Sequence, residues 1–178
     1  RYLIAEADES DRSFLRLFPT LAVVTNIDLE HLETYSDIED IKRSFVEFIS
    51  HVPFYGKAIV CSDDAHIRSL MPFKQVKTIK YGFEEGADIL GTDIQLDINS
   101  ASCSVYAHGV LLGRLTVSMA GKHNLLNALG ALTTAMDIGI TFEQAASALQ
   151  NFTGVDRRFT FKGTFKGAEV IDDYGHHP

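Results

Sequence analysis

The sequence predicts an α/β fold, a mostly parallel sheet flanked by helices, with a small antiparallel sheet. Through the first half of the chain, short apolar runs alternate with segments of helical periodicity, as in parallel α/β domains. From about residue 88 to residue 119 the apolar residues instead recur at every second position, which predicts antiparallel strands. With 178 residues, 46% of them hydrophobic, the chain is long enough to bury one such core.

The parallel sheet is predicted from four short apolar runs, at residues 2–5, 21–25, 57–61 and 76–81. Residues 38–52 carry apolar side chains at helical spacing and charged side chains mostly on the other faces, so we predict an amphipathic helix there. A shorter helix is predicted over residues 65–71, where Pro72 ends it.

Helices are predicted to return after the antiparallel strands, over residues 123–137 and 142–149. The second begins with a capping-box pattern, in which Thr141 is followed three residues later by Gln144. Strand-like runs at residues 159–165 and 168–171 follow a break at Gly154. Little sequence remains for them to pack against, so we expect them to begin a further domain.

Composition excludes several classes of protein. The 24 acidic and 16 basic residues give a net charge of −8, which argues against a nucleic-acid-binding protein. No apolar run approaches the roughly 20 residues of a membrane span, so no membrane partner is expected. Cys61 and Cys103 are far apart and form no CxxC motif. We therefore expect a reduced, cytoplasmic protein.

Two polar clusters directly follow predicted strands, EADESD at residues 6–11 and TNIDLEH at residues 25–31. Because the carboxyl ends of parallel strands meet at one edge of a sheet, these side chains are well placed for a metal. Mg²⁺ takes one or two carboxylates together with phosphate oxygens and water. The alternatives are a solvated acidic loop and, for His31, a surface histidine.

The segment GKHNLLN, residues 121–127, opens a predicted helix with Asn124 and Asn127 three residues apart. This spacing places both amides on one face of the first turn, where unpaired N–H groups favour a polar or anionic ligand. An asparagine amide matches the N6/N7 edge of adenine, so the segment is a candidate adenine site. The alternative is an asparagine N-cap with a second asparagine in the first turn.

Two more polar groups lie near the end of the chain. Arg158, within Asp156-Arg157-Arg158, offers a guanidinium fork for phosphate, or it forms a surface ion pair. Asp173 follows a predicted strand and can accept from both ribose hydroxyls, or it belongs to a polar linker. The phosphate-cradling motif GxxxxGK[ST] does not occur, so any triphosphate site lies outside these residues.

Five motifs, taken in order, resemble those of the Mur ligases of peptidoglycan synthesis: EADESD, TNIDLEHLETY, GKHNLLNALGA, DRRF and DDYGHHP. The first and last resemble the branch that joins L-alanine to UDP-N-acetylmuramate. The resemblance implies that ATP phosphorylates the muramate carboxylate and that the amine attacks the resulting acyl phosphate. It also implies that residues 1–156 are a central ATP-binding domain without its P-loop. Residues 157–178 would then open the C-terminal domain, and the chain alone would be inactive.

The resemblance further implies roles at the reacting groups. Glu6 corresponds to a ligand of the Mg²⁺ that bridges the ATP phosphates, and His31 to the ligand of a second metal. Arg158 corresponds to a phosphate-contacting arginine. Tyr174 and His176 are expected to face the amino acid or the reacting carboxylate.

On the nucleotide side, Asn124 and Asn127 correspond to the family's adenine-binding asparagines, with His123 beside the base. Asp173 corresponds to the aspartate that binds ribose. These roles amount to positioning and charge neutralisation, as phosphoryl transfer requires.

The chain departs from the family pattern in two places. Glu30 and Glu33 stand where the family often has aspartates around the metal-binding histidine. Several Mur ligases hold the second metal with a carbamylated lysine, and that place falls near Phe45, with Lys42 a turn away. We therefore predict no carbamylated lysine.

Three alternative functions remain open from sequence. The nearest in chemistry is a murein-peptide ligase, which attaches a ready-made tripeptide to the same sugar nucleotide. A nucleotide-binding domain without catalysis is the second. The third is a metallohydrolase built on Glu6 and His31, which would leave the asparagine motif unexplained.

Overall fold

The computed structural model describes residues 2–155 and 160–175. Within them, six strands form one sheet, in the spatial order of the chain: β1 Leu21–Val24, β2 Lys57–Cys61, β3 Lys77–Gly82, β4 Ile89–Leu96, β5 Ala101–Ala107 and β6 Val110–Val117. A separate antiparallel pair contains β7 Thr160–Phe165 and β8 Ala168–Asp172. The helices are α1 Ile38–Ser50, α2 Ala65–Leu70, α3 Lys122–Asp137 and α4 Phe142–Gln150, with a short 3-10 helix at Ser13–Arg16.

The predicted fold class is confirmed. Strands β1 to β4 pair in parallel, and β4, β5 and β6 pair antiparallel. The antiparallel strands lie where alternation predicted them, but they extend the main sheet instead of forming a separate one. The junction is short: β3 and β4 pair through Tyr81 with Ile89 and Gly82 with Leu90. The pairing of β3 with β4 therefore joins the parallel strands and the antiparallel strands into one sheet.

The strand predicted at residues 2–5 is wrong. Tyr2, Leu3 and Ile4 are 72%, 94% and 93% exposed, and residues 2–20 contain no strand. Strand β1 pairs with β2, and residues 2–5 join no ladder in the described part of the chain. An apolar run becomes a strand only where a neighbouring strand satisfies its N–H and C=O groups.

Side chains cap the starts of α1 and α4. The side chain of Asp37 accepts a hydrogen bond from the Asp40 N–H and caps α1. The capping box predicted at the start of α4 is present, with reciprocal bonds between Thr141 and Gln144. Helix α1 buries its apolar face, including Phe48, against the ring of Phe14, with the ring centroids 5.1 Å apart.

Helix α3 lies across the main sheet and contacts all six of its strands. Leu125, Leu129 and Leu132 are fully buried along one face of this helix. The first turn of α3, which carries the asparagine motif, is therefore held firmly against the sheet.

The strand-like runs near the end of the chain are confirmed as β7 and β8, whose side chains are mostly exposed. Arg158 and His176 lie outside the described residues. No helix in residues 2–155 and 160–175 combines the length and apolar character that crossing a bilayer requires.

Candidate functional site

A cavity of about 170 Å³ lies at the carboxyl end of β1. Its floor is apolar and includes Phe14, Phe45 and Phe48. Polar groups from two loops face it, among them Glu9 of the EADESD loop and His31 of the segment after β1. The two polar clusters that the sequence placed at strand ends therefore meet at one cavity.

His31 lines this cavity and is largely enclosed, with a side chain 16% exposed. Its Nε2 lies 3.7 Å from Glu9 Oε1 and 3.8 Å from Glu30 Oε2. Its Nδ1 lies 3.6 Å from Glu33 Oε1. The backbone of His31 is left-handed, at φ 55°, which is uncommon for a residue with a side chain. The strained turn aims the imidazole between carboxylates of two loops.

The donor atoms suit a divalent cation that also takes ligands from a substrate. Two ligands bound to one such cation lie roughly 3.0–3.4 Å apart, a few tenths of an ångström closer than His31 Nε2 and Glu9 Oε1. Within the described residues, no three His, Cys, Asp or Glu side chains converge into a complete metal cage. The arrangement is one of few protein ligands, as Mg²⁺ uses beside phosphate oxygens and water.

Glu9, not Glu6, is the acidic-loop carboxylate that the structure brings to His31. Glu6 is exposed and does not line the cavity, so its role as a magnesium ligand stays a prediction. Sequence reasoning did not single out Glu9, although it lies in the same motif. The sequence does not show which way this loop turns. In the structure the Arg12 N–H donates to the Glu9 carbonyl at 3.1 Å and closes a turn that includes Glu9.

Phe45, the residue nearest to the place expected for a modified lysine from the spacing of the motifs, lies on the apolar floor of the cavity. Lys42, one turn earlier on α1, pairs with Glu39 at 2.8 Å.

The asparagine motif forms the first turn of α3, as predicted. The N-cap is Gly121, at φ 96°. The imidazole of His123 lies where a Cβ of residue 121 would project. The positive φ favours glycine at this position, and a Cβ there would also lie 2.7 Å from His123 Cε1. The alternative in which an asparagine caps this helix is therefore not what the structure shows.

Asn124 donates from Nδ2 to the Ala120 carbonyl at 2.7 Å. This bond fixes the orientation of the amide at the entrance to the helix. Asn127 and His123 are exposed. None of these three side chains lines the cavity at β1, so the two parts of the predicted site are separate surfaces in this chain.

Asp173 is exposed directly after β8, and its Oδ1 accepts a hydrogen bond from the Gly175 N–H at 2.8 Å. Tyr174 is also exposed, 57% of its surface being accessible. Arg158 and His176 belong to the undescribed segments, so their predicted roles have no structural counterpart here.

Comparison with known proteins identifies the family. Residues 1–135 match the Mur ligase middle domain. The chain belongs to the Mur ligase family. That assignment agrees with the order of the five motifs in the sequence and with the α/β sheet described above.

Individual Mur ligases match all or most of this chain. The UDP-N-acetylmuramate–L-alanine ligase of Geobacter sp. (strain M21) is 49% identical over 178 residues, and the chain spans 39% of its length. The structure of the UDP-N-acetylmuramate-alanine ligase from Thermotoga maritima superposes with a TM-score of 0.79 at 23% identity, over 96% of this chain and 38% of that one. This second likeness shows a shared fold.

A third relative is a Mur ligase seen with nucleotide. The MurF ligase of Thermotoga maritima, solved in complex with ADP, superposes with a TM-score of 0.70 at 26% identity. The match covers 86% of this chain and 35% of that one.

Proposed function

We propose that the full-length protein carrying this chain is an ATP-dependent ligase that joins L-alanine to the carboxylate of UDP-N-acetylmuramate. The observation that carries the proposal is the 49% identity across all 178 residues with an enzyme of that name. The chain spans 39% of that relative, so the proposal concerns the whole protein. We assign residues 1–156 to its central ATP-binding domain and residues 157–178 to the start of the next domain.

The proposed reaction has two steps. A muramate carboxylate oxygen attacks the γ-phosphorus of ATP, the bond to the ADP oxygen breaks, and an acyl phosphate forms. The alanine nitrogen then attacks the acyl carbon, inorganic phosphate leaves, and the amine loses a proton. The protein's contribution is positioning and neutralisation of charge.

We assign the adenine to the first turn of α3. The Asn124 amide has two N–H donors, and one of them is used by the Ala120 carbonyl at 2.7 Å. The other N–H and Oδ1 form the donor and acceptor pair that matches the adenine edge. Asn127, three residues later and exposed, and His123 complete the proposed base site. The ADP complex of the related MurF ligase supports a nucleotide ligand for this family.

We assign a divalent cation, the second metal that the resemblance implies, to the cavity at β1. His31 would be its nitrogen ligand, and the carboxylate of Glu9 lies nearest to His31 from the EADESD loop. Glu6 is retained, on the resemblance alone, as a proposed ligand of the Mg²⁺ that bridges the ATP phosphates. When bound, the cation neutralises charge on the transferring phosphate.

The remaining roles rest on the resemblance. Arg158 is proposed to contact phosphate and Asp173 the ribose, with Tyr174 and His176 near the amino acid or carboxylate. We propose a cytoplasmic location, where both nucleotide substrates are available and where Cys61 and Cys103, both buried and without a disulfide, stay reduced.

Phosphate release by the full-length protein tests the proposal. The assay contains ATP, Mg²⁺ and UDP-N-acetylmuramate, with L-alanine, other single amino acids or a tripeptide. We expect release that needs every component and prefers L-alanine. Preference for the tripeptide would reassign the protein to peptide recycling, and release without an amine would indicate a phosphatase or ATPase.

A matched pair of histidine variants links the activity to the cavity. His31→Asn is expected to lower kcat at least tenfold, because the proposed metal ligand is lost. His66→Asn, on α2 and outside the cavity, is expected to keep the wild-type rate. Equal rates for both variants would remove His31 from the site.

A further inference from the structure

Arg12 joins the two loops that meet at the cavity. Its guanidinium donates to the Thr34 carbonyl at 3.1 Å and to Asp40 Oδ2 at 2.6 Å. Its Cζ lies 4.6 Å from the centre of the Tyr35 ring. Arg12, which directly follows the EADESD loop, thus contacts both the turn after His31 and the first turn of α1.

The backbone of Arg12 is itself strained. It adopts φ 62° and ψ 13°, the left-handed region that residues with a Cβ seldom occupy. Its N–H donates to the Glu9 carbonyl at 3.1 Å, so this conformation closes the turn that presents Glu9. The contacts of the guanidinium hold a backbone that glycine would adopt more readily.

Hydrogen bonds beside Arg12 connect the same two loops. The Tyr35 hydroxyl donates to the Glu9 carbonyl at 2.6 Å, and the Thr34 hydroxyl donates to the Ser10 carbonyl at 2.6 Å. The N–H groups of Thr34 and Tyr35 both donate to the His31 carbonyl, at 2.8 and 3.0 Å. Displacement of this turn therefore moves Glu9 and His31 relative to each other.

Asp40 is a charged partner for Arg12. The Ser36 N–H and then the Arg12 guanidinium lower the pKa of this carboxyl, so it is ionised at neutral pH. A second arginine, Arg43, reaches the other carboxylate oxygen at 3.3 Å with a side chain 68% exposed. No contact of Arg43 with either loop is seen in the described part of the chain, which makes it a natural control.

We propose that Arg12 is a positioning residue for the reaction, because it sets the separation of Glu9 and His31 at the metal side of the site. The effect of Arg12 on the reaction rests on the proposed function. Arg12 does not line the cavity, so it acts through the two loops and not by touching substrate.

The test compares Arg12→Gln, Arg12→Gly and Arg43→Gln in the full-length protein. Arg12→Gln removes the charge and the planar fork. Arg12→Gly removes every side-chain contact but suits φ 62°, so it separates the contacts from backbone strain. We expect both Arg12 variants to lower kcat at least tenfold and to raise several-fold the Mg²⁺ concentration for half-maximal rate. The KM for ATP should stay within twofold, since the asparagine turn is untouched, and Arg43→Gln should match the wild type.

A turnover-independent readout separates this inference from the proposed function. Mn²⁺ binding, followed by calorimetry without substrates, should weaken at least fivefold in both Arg12 variants and stay unchanged in Arg43→Gln. An inactive wild type that shows this pattern would overturn the ligase assignment and keep the positioning role. The inference is overturned if Mn²⁺ affinity is unchanged in Arg12→Gly, if Arg43→Gln causes the same loss, or if both Arg12 variants fail to fold.

Discussion

The backbone of Gly130 in α3 lies against the phenol ring of Tyr81 in β3. A Cβ at position 130 would be 2.7 Å from Tyr81 Cζ and 2.8 Å from its hydroxyl oxygen. Both residues are buried, and Tyr81 is 0% exposed. The missing side chain of Gly130 is what lets the helix sit this close to the sheet.

Gly130→Ala is expected to destabilise the chain by up to about 2 kcal/mol. Alanine improves helix propensity by roughly 1 kcal/mol, but overpacking against a fixed aromatic ring costs about 1–3 kcal/mol. Denaturant unfolding measures the difference. A variant more stable than the wild type would mean that propensity wins and that the ring yields.

Tyr81→Phe is expected to leave stability unchanged or to raise it by about 1 kcal/mol. In the described part of the chain the buried hydroxyl has no hydrogen-bond partner, and burial raises its pKa. Removing an unsatisfied polar group offsets the packing lost with one oxygen. Thermal unfolding beside the wild type checks this, and a loss above about 1 kcal/mol would reveal a partner such as a buried water.

Cys103 is expected to make the fold sensitive to alkali. Burial raises the pKa of its thiol to about 11 from an ordinary 9.0, with Arg114 opposing. The unfolded chain therefore releases this proton first. The stabilisation is complete below pH 9 and is lost as pH rises toward 11, by up to about 2 kcal/mol.

Unfolding free energies at pH 8 and pH 11 measure the alkaline loss. Cys103→Ala should show a smaller fall over this range than the wild type. Equal falls in the two proteins would assign the alkaline loss to other groups.

Asn124→Ala in the full-length protein is expected to weaken ATP binding by about 1–3 kcal/mol, the worth of a bidentate contact to adenine. Asn151→Ala is the matched control, because Asn151 makes the same kind of bond, from Nδ2 to the Ser147 carbonyl at 2.8 Å, at the end of α4. Calorimetry with ATP checks both. An ATP affinity equally changed in the two variants would return Asn124 to a purely structural role at Ala120.

Helix starts were predictable because their signals are local. The Thr141–Gln144 capping box involves residues three positions apart, and it forms as the pattern indicates. The cap of α1 by Asp37 is equally local, although it was not predicted. The start of α3 is the exception. Two asparagines suggested a side-chain cap, but Gly121 takes that position, where a φ of 96° disfavours residues with a side chain.

Strand partners depend on distant residues. Residues 2–5 have the composition of a buried strand but join no ladder in the described structure. The alternating strands were recognised, yet their union with the main sheet depends on two residue pairs between β3 and β4. The composition of a segment indicates that it suits a sheet, but it does not determine which strand the segment pairs with.

The sequence motifs predicted the family and the two loops that carry the acidic and histidine clusters, and the apolar periodicity predicted the α/β class. Only the tertiary structure decides that Glu9 faces His31 and that Arg12 braces both loops. The reason is the geometry of the turn. Its left-handed backbone at Arg12 is held by Thr34 and Asp40, 22 and 28 residues away, and no local pattern encodes contacts at such separations.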